Sequence, residues 1–264
     1  RDVERSRGLG DVYKRQGYEK FYENFGRALK VGVLNQFGEK RESLQELLLF
    51  YSSTEKKLVT LREYADRMPE SQKYIYYAAG DTVASIDSLP QTELLKERGM
   101  EILYCTDRAD EFLADSLRTY NGKEFRSAVD GDLGLEDEPK TKESESDKEC
   151  LAFIKETLGD RVDEVKASQK LKSHPVCMTS GEGLTFEMEK YFRAVQPELS
   201  MKAKRILEVN VAHPAFLKLE SVRATDPELA KKYAEVLYNQ ALLIAGLPLA
   251  DPSGYTDLVC SLWS

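Results

Sequence analysis

The sequence predicts an α+β fold of two mixed domains: a small three-layer αβα lobe, then an α/β domain that ends in a helical hairpin. Residues 67–112 alternate between apolar strand-like runs and a helical pattern. Residues 130–149 hold nine acids, three lysines and few apolar side chains, so they cannot form a core. Near the end, Asp226-Pro227 and Asp251-Pro252 each place an N-cap aspartate before a first-turn proline.

The first half of the chain is predicted to contain several helices and one βαβ unit. Strands are predicted over residues 73–78 and 101–105, and helices over 18–30, 42–51, 60–68, 90–98 and 108–120. Gly99 stops the crossover helix, and Asn121-Gly122 is expected to close the last one. The turn after the first strand offers a single glycine, Gly80, followed by an acid, so it lacks a phosphate-binding backbone. A structural role is therefore predicted for the βαβ unit.

The second half is predicted to mix strands and helices. Strands are expected over residues 162–167, 176–179 and 206–210, and helices over 150–158, 183–195, 215–221, 227–245 and from 252 onward. The acidic run before them is read as a solvated linker rather than a surface for a basic partner.

Composition narrows the function classes. The 264 residues carry a net charge of −8, which argues against nucleic acid as a partner. No apolar run is long enough to cross a membrane, so no membrane partner is expected. The four cysteines form no CxxC pair and are expected to be reduced thiols. His174 and His213 both precede proline and are predicted to be turn residues, not metal ligands.

Residues 1–16 lack apolar periodicity and resemble translated sequencing-adapter sequence. Residues 1–17 are therefore expected to be a non-native leader, and the natural protein is expected to continue upstream of Tyr18.

The apolar residues of the predicted helix over 227–245 cover more of its circumference than the single stripe that a surface helix needs. Two helices from each of two chains would form a four-helix dimer bundle. A hairpin buried within one chain explains the pattern equally well.

The predicted helix over 183–195 is the second candidate surface. Leu184, Met188 and Tyr191 share one face with Phe192 beside them, and flexible methionine suits varied apolar partners. The alternative is an ordinary core-facing helix. Gly181, Gly183 and Pro197 suggest that the helix sits on flexible joints.

Three acids lie near a strand end, where α/β enzymes place catalytic groups: Asp107, Asp110 and Glu111. No histidine, nucleophile or second ligand set accompanies them, so a solvated helix N-terminus is favoured and no catalytic residue is assigned.

Several short sequences in a fixed order resemble the heat-shock protein 90 chaperone family, of the bacterial HtpG type. They are FYENF (21–25), RMPE (67–70), QKYIYY (72–77), GMEILY (99–104), DRADEF (107–112), GKEF (122–125), ILEVN (206–210) and the stretches 47–53 and 237–252. The resemblance covers residues 18–264. It implies the C-terminal part of the middle domain (18–129), an acidic linker (130–148) and a dimerisation domain (149–264).

The resemblance also implies a function. The family forms homodimers in the cytoplasm and binds unfolded or partly folded clients in an ATP-dependent, stress-responsive cycle. ATP and Mg are bound by an N-terminal domain upstream of the matched residues, so this chain is expected to hold no cofactor or metal and not to hydrolyse ATP. By position, client contacts fall on Phe112, Leu184, Met188, Tyr191 and Phe192. The dimer contacts are expected at Tyr233, Leu237, Tyr238, Ala241, Leu242, Leu258 and Leu262.

Two other hypotheses about the function remain at this point. One is a small α/β enzyme with a site where the strands over 73–78 and 101–105 end. The other is a plain dimerisation scaffold.

Overall fold

The chain is divided between two units that are not continuous in sequence. A computed structural model describes residues 2–36, 39–129, 131–135 and 143–263. The first unit comprises the chain up to Ile86 together with Glu101–Arg126, and the second comprises Asp87–Met100 together with the chain from Ser127. Both units combine helices with a sheet of parallel and antiparallel strands, which confirms the α+β fold class.

The elements up to residue 127 alternate between helices and short strands. In chain order they are α1 (Asp2–Asn35), α2 (Glu39–Gln45), β1 (Phe50–Ser52), β2 (Leu58–Val59), α3 (Leu61–Arg67), β3 (Tyr74–Ala79), α4 (Val83–Asp87), a 3-10 turn (Pro90–Thr92), α5 (Glu93–Glu97), β4 (Ile102–Cys105), α6 (Ala109–Leu117), β5 (Thr119–Tyr120) and β6 (Lys123–Ser127). Six strands form one sheet in the order β2-β1-β4-β3-β6-β5. Strands β3 and β4 are parallel neighbours joined through helices, as the βαβ prediction requires.

The core of the first unit lies between this sheet and its helices. All four residues of β4 are buried, so both faces of this central strand are covered. Val33 of α1, Tyr64 of α3, Ile75 of β3 and Leu113 of α6 belong to one apolar cluster. Apolar residues from helices before and after the βαβ unit therefore meet in one core.

Tyr64 joins α3 to the edge of the βαβ unit through its hydroxyl. The side chain is fully buried, and its hydroxyl donates to the Glu101 carbonyl at 2.8 Å. The same oxygen accepts from Gln72 Nε2 at 3.0 Å and from the Tyr76 backbone N–H at 3.1 Å. One atom therefore satisfies three buried polar groups.

Removing that hydroxyl should destabilise the protein without changing its shape. Tyr64→Phe is expected to lower the free energy of unfolding by about 1–3 kcal/mol, because three buried groups lose a partner. Urea unfolding followed by circular dichroism measures the loss. Tyr51→Phe is the control, since the structure gives the Tyr51 hydroxyl no hydrogen bond among the described residues, and it should cost far less. Equal losses in the two variants would contradict this role of Tyr64.

Two predicted helices end earlier than expected. The helix predicted over 42–51 ends at Gln45, because Phe50 and Tyr51 instead pair with β2 and, through Tyr51, with β4. The helix predicted over 108–120 ends at Leu117. Asn121 and Gly122 both have positive φ and form the turn between β5 and β6, a known preference of Asn-Gly in two-residue hairpins.

The first helix is longer than predicted. It begins at Asp2 instead of residue 18 and runs to Asn35. Residues 2–17 contain no proline, so a helix already nucleated further along can extend through them without an apolar stripe. Arg15 donates to the Leu58 carbonyl at 2.7 Å and to both carboxylate oxygens of Glu63, at 3.0 and 3.2 Å.

The second unit packs helices against a smaller sheet. Its remaining elements are α7 (Glu145–Leu158), a 3-10 turn (Gly159–Arg161), β7 (Glu164–Ala167), β8 (Val176–Thr179), α8 (Phe186–Val195), a 3-10 turn (Pro197–Leu199), β9 (Ile206–Val209), α9 (Pro214–Arg223), α10 (Pro227–Ile244) and α11 (Pro252–Ser261). The sheet has the order β7-β9-β8, with β9 parallel to β7 and antiparallel to β8. Ile154, Leu207, Phe216 and Ala241 are fully buried in its core.

The crossover segment of the βαβ unit contacts the second unit, to which it belongs. Gln91 Nε2 donates to the Met178 carbonyl at 3.2 Å. The Glu93 carboxylate accepts from the backbone N–H groups of Lys172 and Ser173 at 3.2 and 3.0 Å. His174 Nδ1 lies 2.8 Å from Glu93 Oε1. These contacts are long-range, and the sequence pattern gave no indication of them.

Candidate functional site

Helix α8 presents apolar side chains that are only half-buried. Thr185 caps the helix by accepting from the Met188 N–H at 3.2 Å, so α8 begins three residues later than predicted. Met188, Tyr191 and Phe192 are half-buried, and the last two rings meet edge to face with centroids 5.5 Å apart. Leu184 precedes the helix and packs against the core. The structure therefore brings four of the five predicted client-contact residues onto or beside one helix.

The apolar surface continues past the end of α8. Val195, Leu199 and Met201 are 55%, 52% and 41% exposed, values high for large apolar side chains. The sequence pattern did not mark these residues, because Pro197 ends the helical periodicity by which apolar faces are recognised. Ser200, with φ of 46°, turns the chain between Leu199 and Met201.

A buried ion pair fixes α8 in place. Glu189 is fully buried, and its carboxylate accepts from Arg205 Nη1 at 2.5 Å, Arg205 Nη2 at 2.8 Å and the Ala203 N–H at 2.8 Å. Arg193 also donates to it from the next helical turn. Burial raises the pKa of Glu189, but the hydrogen bonds from Arg205 and Ala203 outweigh it and hold the pKa below its usual value.

The two glycines before α8, from which flexible joints were predicted, differ in conformation and surroundings. Gly183 adopts a positive φ of 101°. A Cβ at Gly181 would lie 2.8 Å from Lys204 Cδ, so this glycine serves close packing. With Glu189 clamped to Arg205, α8 offers its apolar face from a fixed position.

Phe112 belongs to the first unit. It is half-buried in α6, between the buried residues Glu111 and Leu113. Its partial exposure fits either a first-turn packing residue or a contact for another protein.

The dimer residues predicted on α10 face mostly into their own chain. Leu237, Ala241 and Leu242 are buried in the core of the second unit, with Tyr233 and Tyr238 packed against it. The side of α10 that carries these five residues therefore packs against the core of its own unit. Leu243, by contrast, is 52% exposed, a signal that the sequence pattern did not separate from its neighbours.

Helix α11 is the least covered element of the second unit. Its residues lie wholly within the described part of the chain, and none of them is buried. Leu258 and Val259 are half-buried, as is Leu262 just after the helix. Trp263 is 83% exposed. The helix has a good N-cap, since Asp251 accepts from the Gly254 N–H at 2.9 Å.

The acids near the end of β4 have structural roles. Asp107 Oδ1 accepts from the Ala109 N–H, and Asp110 Oδ2 accepts from the Asp107 N–H. Asp110 also pairs with Lys30 at 2.7 Å, both side chains being buried, and burial raises the pKa of Asp110. The expectation of solvated acids is thus wrong for Asp110 and Glu111, because helix α1 packs over α6.

The other groups considered as candidate sites from the sequence make structural contacts where the structure describes them. The Gly80 N–H donates to the Cys105 carbonyl at 3.1 Å, so it is not directed at a ligand. His213 caps α9 by accepting from the Ala215 N–H, as expected of a turn residue. Across the described ranges, no cluster of histidine, cysteine and acidic side chains could hold a metal ion. Among the helices that the structure describes, none is both long and apolar enough to span a membrane.

Comparison with known proteins places this fold in a family. Residues 7–264 match the family model described as Hsp90 protein. Chaperone protein HtpG of Clostridium acetobutylicum is 50% identical over 250 residues, covering 94% of this chain and 40% of that protein. The namesake proteins of Alkaliphilus metalliredigens and Oceanobacillus iheyensis are 49% and 47% identical, over 95% and 94% of the chain. The chain spans about two fifths of the length of these relatives. It belongs to the Hsp90 family.

Proposed function

We propose that the chain is the C-terminal part of the middle domain and the dimerisation domain of a cytoplasmic chaperone that binds unfolded or partly folded proteins. Its relatives carry the name chaperone, and membership of the Hsp90 family supports the same role here. The linker at residues 130–148 would join the two domains. Residues 130 and 136–142 of that linker lie outside the described part of the chain.

The half-exposed apolar face of α8 is the observation that carries this proposal. A soluble protein gains stability by burying methionine, tyrosine and phenylalanine, so leaving them accessible indicates a surface kept for a partner. Methionine adapts its shape to different apolar side chains, which suits clients of varied sequence. The clamp between Glu189 and Arg205 holds the surface ready without its collapsing into the core.

Dimerisation is the second part of the proposal. A ten-residue helix is marginally stable alone, and α11 buries no residue of its own among those described. A second copy of the chain could cover its apolar side and form a four-helix bundle. Because α10 uses Leu237, Ala241 and Leu242 internally, we assign the partner surface chiefly to α11, Leu243 and Trp263.

The chemical step of the chaperone cycle is proposed to lie outside this chain. ATP and Mg would bind an upstream N-terminal domain, and its closure would shift the conformation of the part described here. The isolated chain would then hold clients without nucleotide. ATP hydrolysis above background by the purified chain would contradict this assignment.

The client surface can be tested by polar substitution. Met188→Gln and Phe192→Gln should each reduce suppression of aggregation of an unfolded protein severalfold, because apolar contact area is lost. Stability should change by only about 1 kcal/mol, since both side chains are half-exposed. Light scattering measures the first quantity and urea unfolding the second. Phe112→Gln tests the first unit in the same way.

Leu217→Gln is the matched control, because Leu217 is an apolar residue of α9 that is 48% exposed. It should leave client holding unchanged. Equal losses in the control and α8 variants would show that general surface hydrophobicity, not α8, holds the client. A large loss of stability in Met188→Gln would identify Met188 as a core residue.

A further inference from the structure

A groove in the second unit has apolar side chains on its floor and along one wall. It lies between α10, α11 and the loop that leads into β9, and its volume is about 600 Å³. Leu242 and Leu247 are buried at its base, and Tyr255 and Leu258 of α11 line the wall. The groove therefore borders the helix that we assign to the dimer contact, so a second copy of the chain is its nearest candidate occupant.

The polar groups around the groove carry charges of both signs. One carboxylate oxygen of Asp251 accepts from the Gly254 N–H at 2.9 Å, and the other can accept from a donor in the groove. Arg161 is paired with Glu235. Lys202 is exposed and forms no hydrogen bond or ion pair within the described part of the chain. This lining suits a side chain that is largely apolar, donates a hydrogen bond and attracts a cation.

Tryptophan is the side chain that combines these three properties. Its indole is large and apolar, its Nε1–H only donates, and the face of its ring attracts ammonium groups. The sequence has a single tryptophan, Trp263. It is 83% exposed and does not line the groove of its own chain. Since tryptophan commonly fills the central pockets of protein interfaces, the groove of a second copy is a matching site for it.

The half-buried residues of α11 and its cap allow a symmetric pairing of two helices. Tyr255, Leu258, Val259 and Leu262 are half-buried in the single chain. A two-fold axis between Leu258 and Val259 exchanges these two positions and also exchanges Tyr255 with Leu262, because the two helices then run antiparallel. The same apolar stripe therefore serves both copies.

This antiparallel pairing brings Trp263 to the groove of the other copy. Trp263 follows the C-terminal end of α11, whereas the groove residues of that helix lie toward its N-terminal end. With the axis between Leu258 and Val259, position 263 of one copy lies level with about position 254 of the other. Gly254 lines the groove. A parallel pair would instead place Trp263 beside its own counterpart.

We propose that the groove between α10 and α11 receives Trp263 of a second copy of the chain, and that each copy of the dimer fills the groove of the other in this way. The indole would lie on the apolar floor, with its Nε1–H directed to Asp251 and the ammonium group of Lys202 over its ring. The inference rests on the proposed dimerisation and deepens it by naming the side chain that enters and the site that receives it.

Changing either half of this contact should weaken self-association. Trp263→Ala and Ala250→Phe should each weaken it by about tenfold or more, as expected of a tryptophan in an interface pocket. Ala250 lines the groove and is exposed, so a larger side chain there takes space from the indole without entering the core. Ala224→Phe is the matched control, because Ala224 is exposed after α9 and does not line the groove. Sedimentation velocity measures association, and circular dichroism checks the fold.

A mixing experiment tests whether one copy's groove receives the other copy's tryptophan. Ala250→Phe keeps the only tryptophan but has a blocked groove, and it should show the emission of an exposed indole. Adding excess Trp263→Phe, which has an intact groove and no tryptophan, should shift that emission to shorter wavelength. The double variant Ala250→Phe with Trp263→Phe is the control, because its groove is blocked, and adding it should cause no shift.

The outcomes separate this inference from the dimer proposal. Unchanged self-association in Trp263→Ala and Ala250→Phe, or equal emission after adding either tryptophan-free variant, would overturn the inference and leave the dimer to other residues. Weaker client holding by Ala250→Phe with unchanged self-association would overturn it by assigning the groove to a client segment. A natural chain that stays monomeric would contradict the dimer proposal itself, and the inference would fail with it.

Discussion

Glu189→Leu is expected to lower the free energy of unfolding by about 3–5 kcal/mol, because it leaves the buried Arg205 without a counter-charge. The Arg205 guanidinium donates two hydrogen bonds to Glu189 and lies over the Phe186 ring, 5.1 Å from its centroid. No other carboxylate pairs with Arg205 among the described residues. Urea unfolding followed by circular dichroism would measure the loss.

Glu187→Leu is the matched control on the same helix. Glu187 pairs with Lys190 at 2.6 Å, and both side chains are partly exposed, so the contribution of this pair should be closer to that of a surface pair, about 0–1 kcal/mol, than to that of a buried pair. Adding Arg205→Met to Glu189→Leu should recover part of the lost stability, because an apolar pair can replace a buried ion pair. Equal costs in the two glutamate variants would contradict the clamp.

The same pair gives stability a defined dependence on pH. The pKa of Glu189 is lower in the folded chain than its ordinary value of 4.5. Its stabilising contribution is therefore complete above that value and lost as the pH falls through the lower, folded-state pKa. The advantage of the natural protein over Glu189→Gln should accordingly shrink in acid.

Local patterns predicted the parts of the fold that depend on neighbouring residues. The strands of the βαβ unit, the helix stop at Gly99 and the two Asp-Pro helix starts are short-range signals, and the structure confirms them. Strand β1 was missed because Leu47, Leu48 and Leu49 continue a helical pattern. Its three residues become a strand only through pairing with β2 and β4.

The candidate site was also predicted only in part, and the predicted part again came from a local pattern. The amphipathic pattern of α8 marked Met188, Tyr191 and Phe192 as a possible partner surface. The clamp was not predictable, because Arg205 lies sixteen residues from Glu189 and outside the helix. Burial of Leu237, Ala241 and Leu242 likewise depends on the sheet beneath α10. A sequence pattern shows that a face is apolar, and only the tertiary structure shows whether the same chain already covers it.

Dimerisation is best tested at an apolar residue that the same chain does not already cover. Replacing Leu242 with a charged residue would damage the core of the unit and would not report on association alone. Leu258 lines a groove between α10 and α11. Leu262 is half-buried, does not line the groove, and lies near the highly exposed Trp263. A substitution at Leu262 should therefore disturb contact with a partner more than it disturbs the core of its own unit.

Leu262→Asp should weaken self-association by at least about 100-fold, equivalent to about 2.7 kcal/mol. In a two-fold symmetric dimer each substitution occurs twice, so two leucines are lost and two charges are placed at the interface. Burying one leucine contributes about 1.5–3 kcal/mol, which makes this magnitude modest. Sedimentation velocity over a concentration series would measure the change.

Ser253→Asp adds the same charge to α11 on the face opposite Leu262, because nine residues at about 100° each place the two positions half a turn apart, and it should leave the dimer intact. The single tryptophan, Trp263, supplies an independent signal. It is 83% exposed in the single chain, so covering it with a second copy should shift its emission to shorter wavelength as concentration rises. The Leu262→Asp variant should lack that shift while its circular dichroism is retained. A natural chain that stays monomeric at micromolar concentration would contradict the dimer, and the exposed side of α11 would then need another partner.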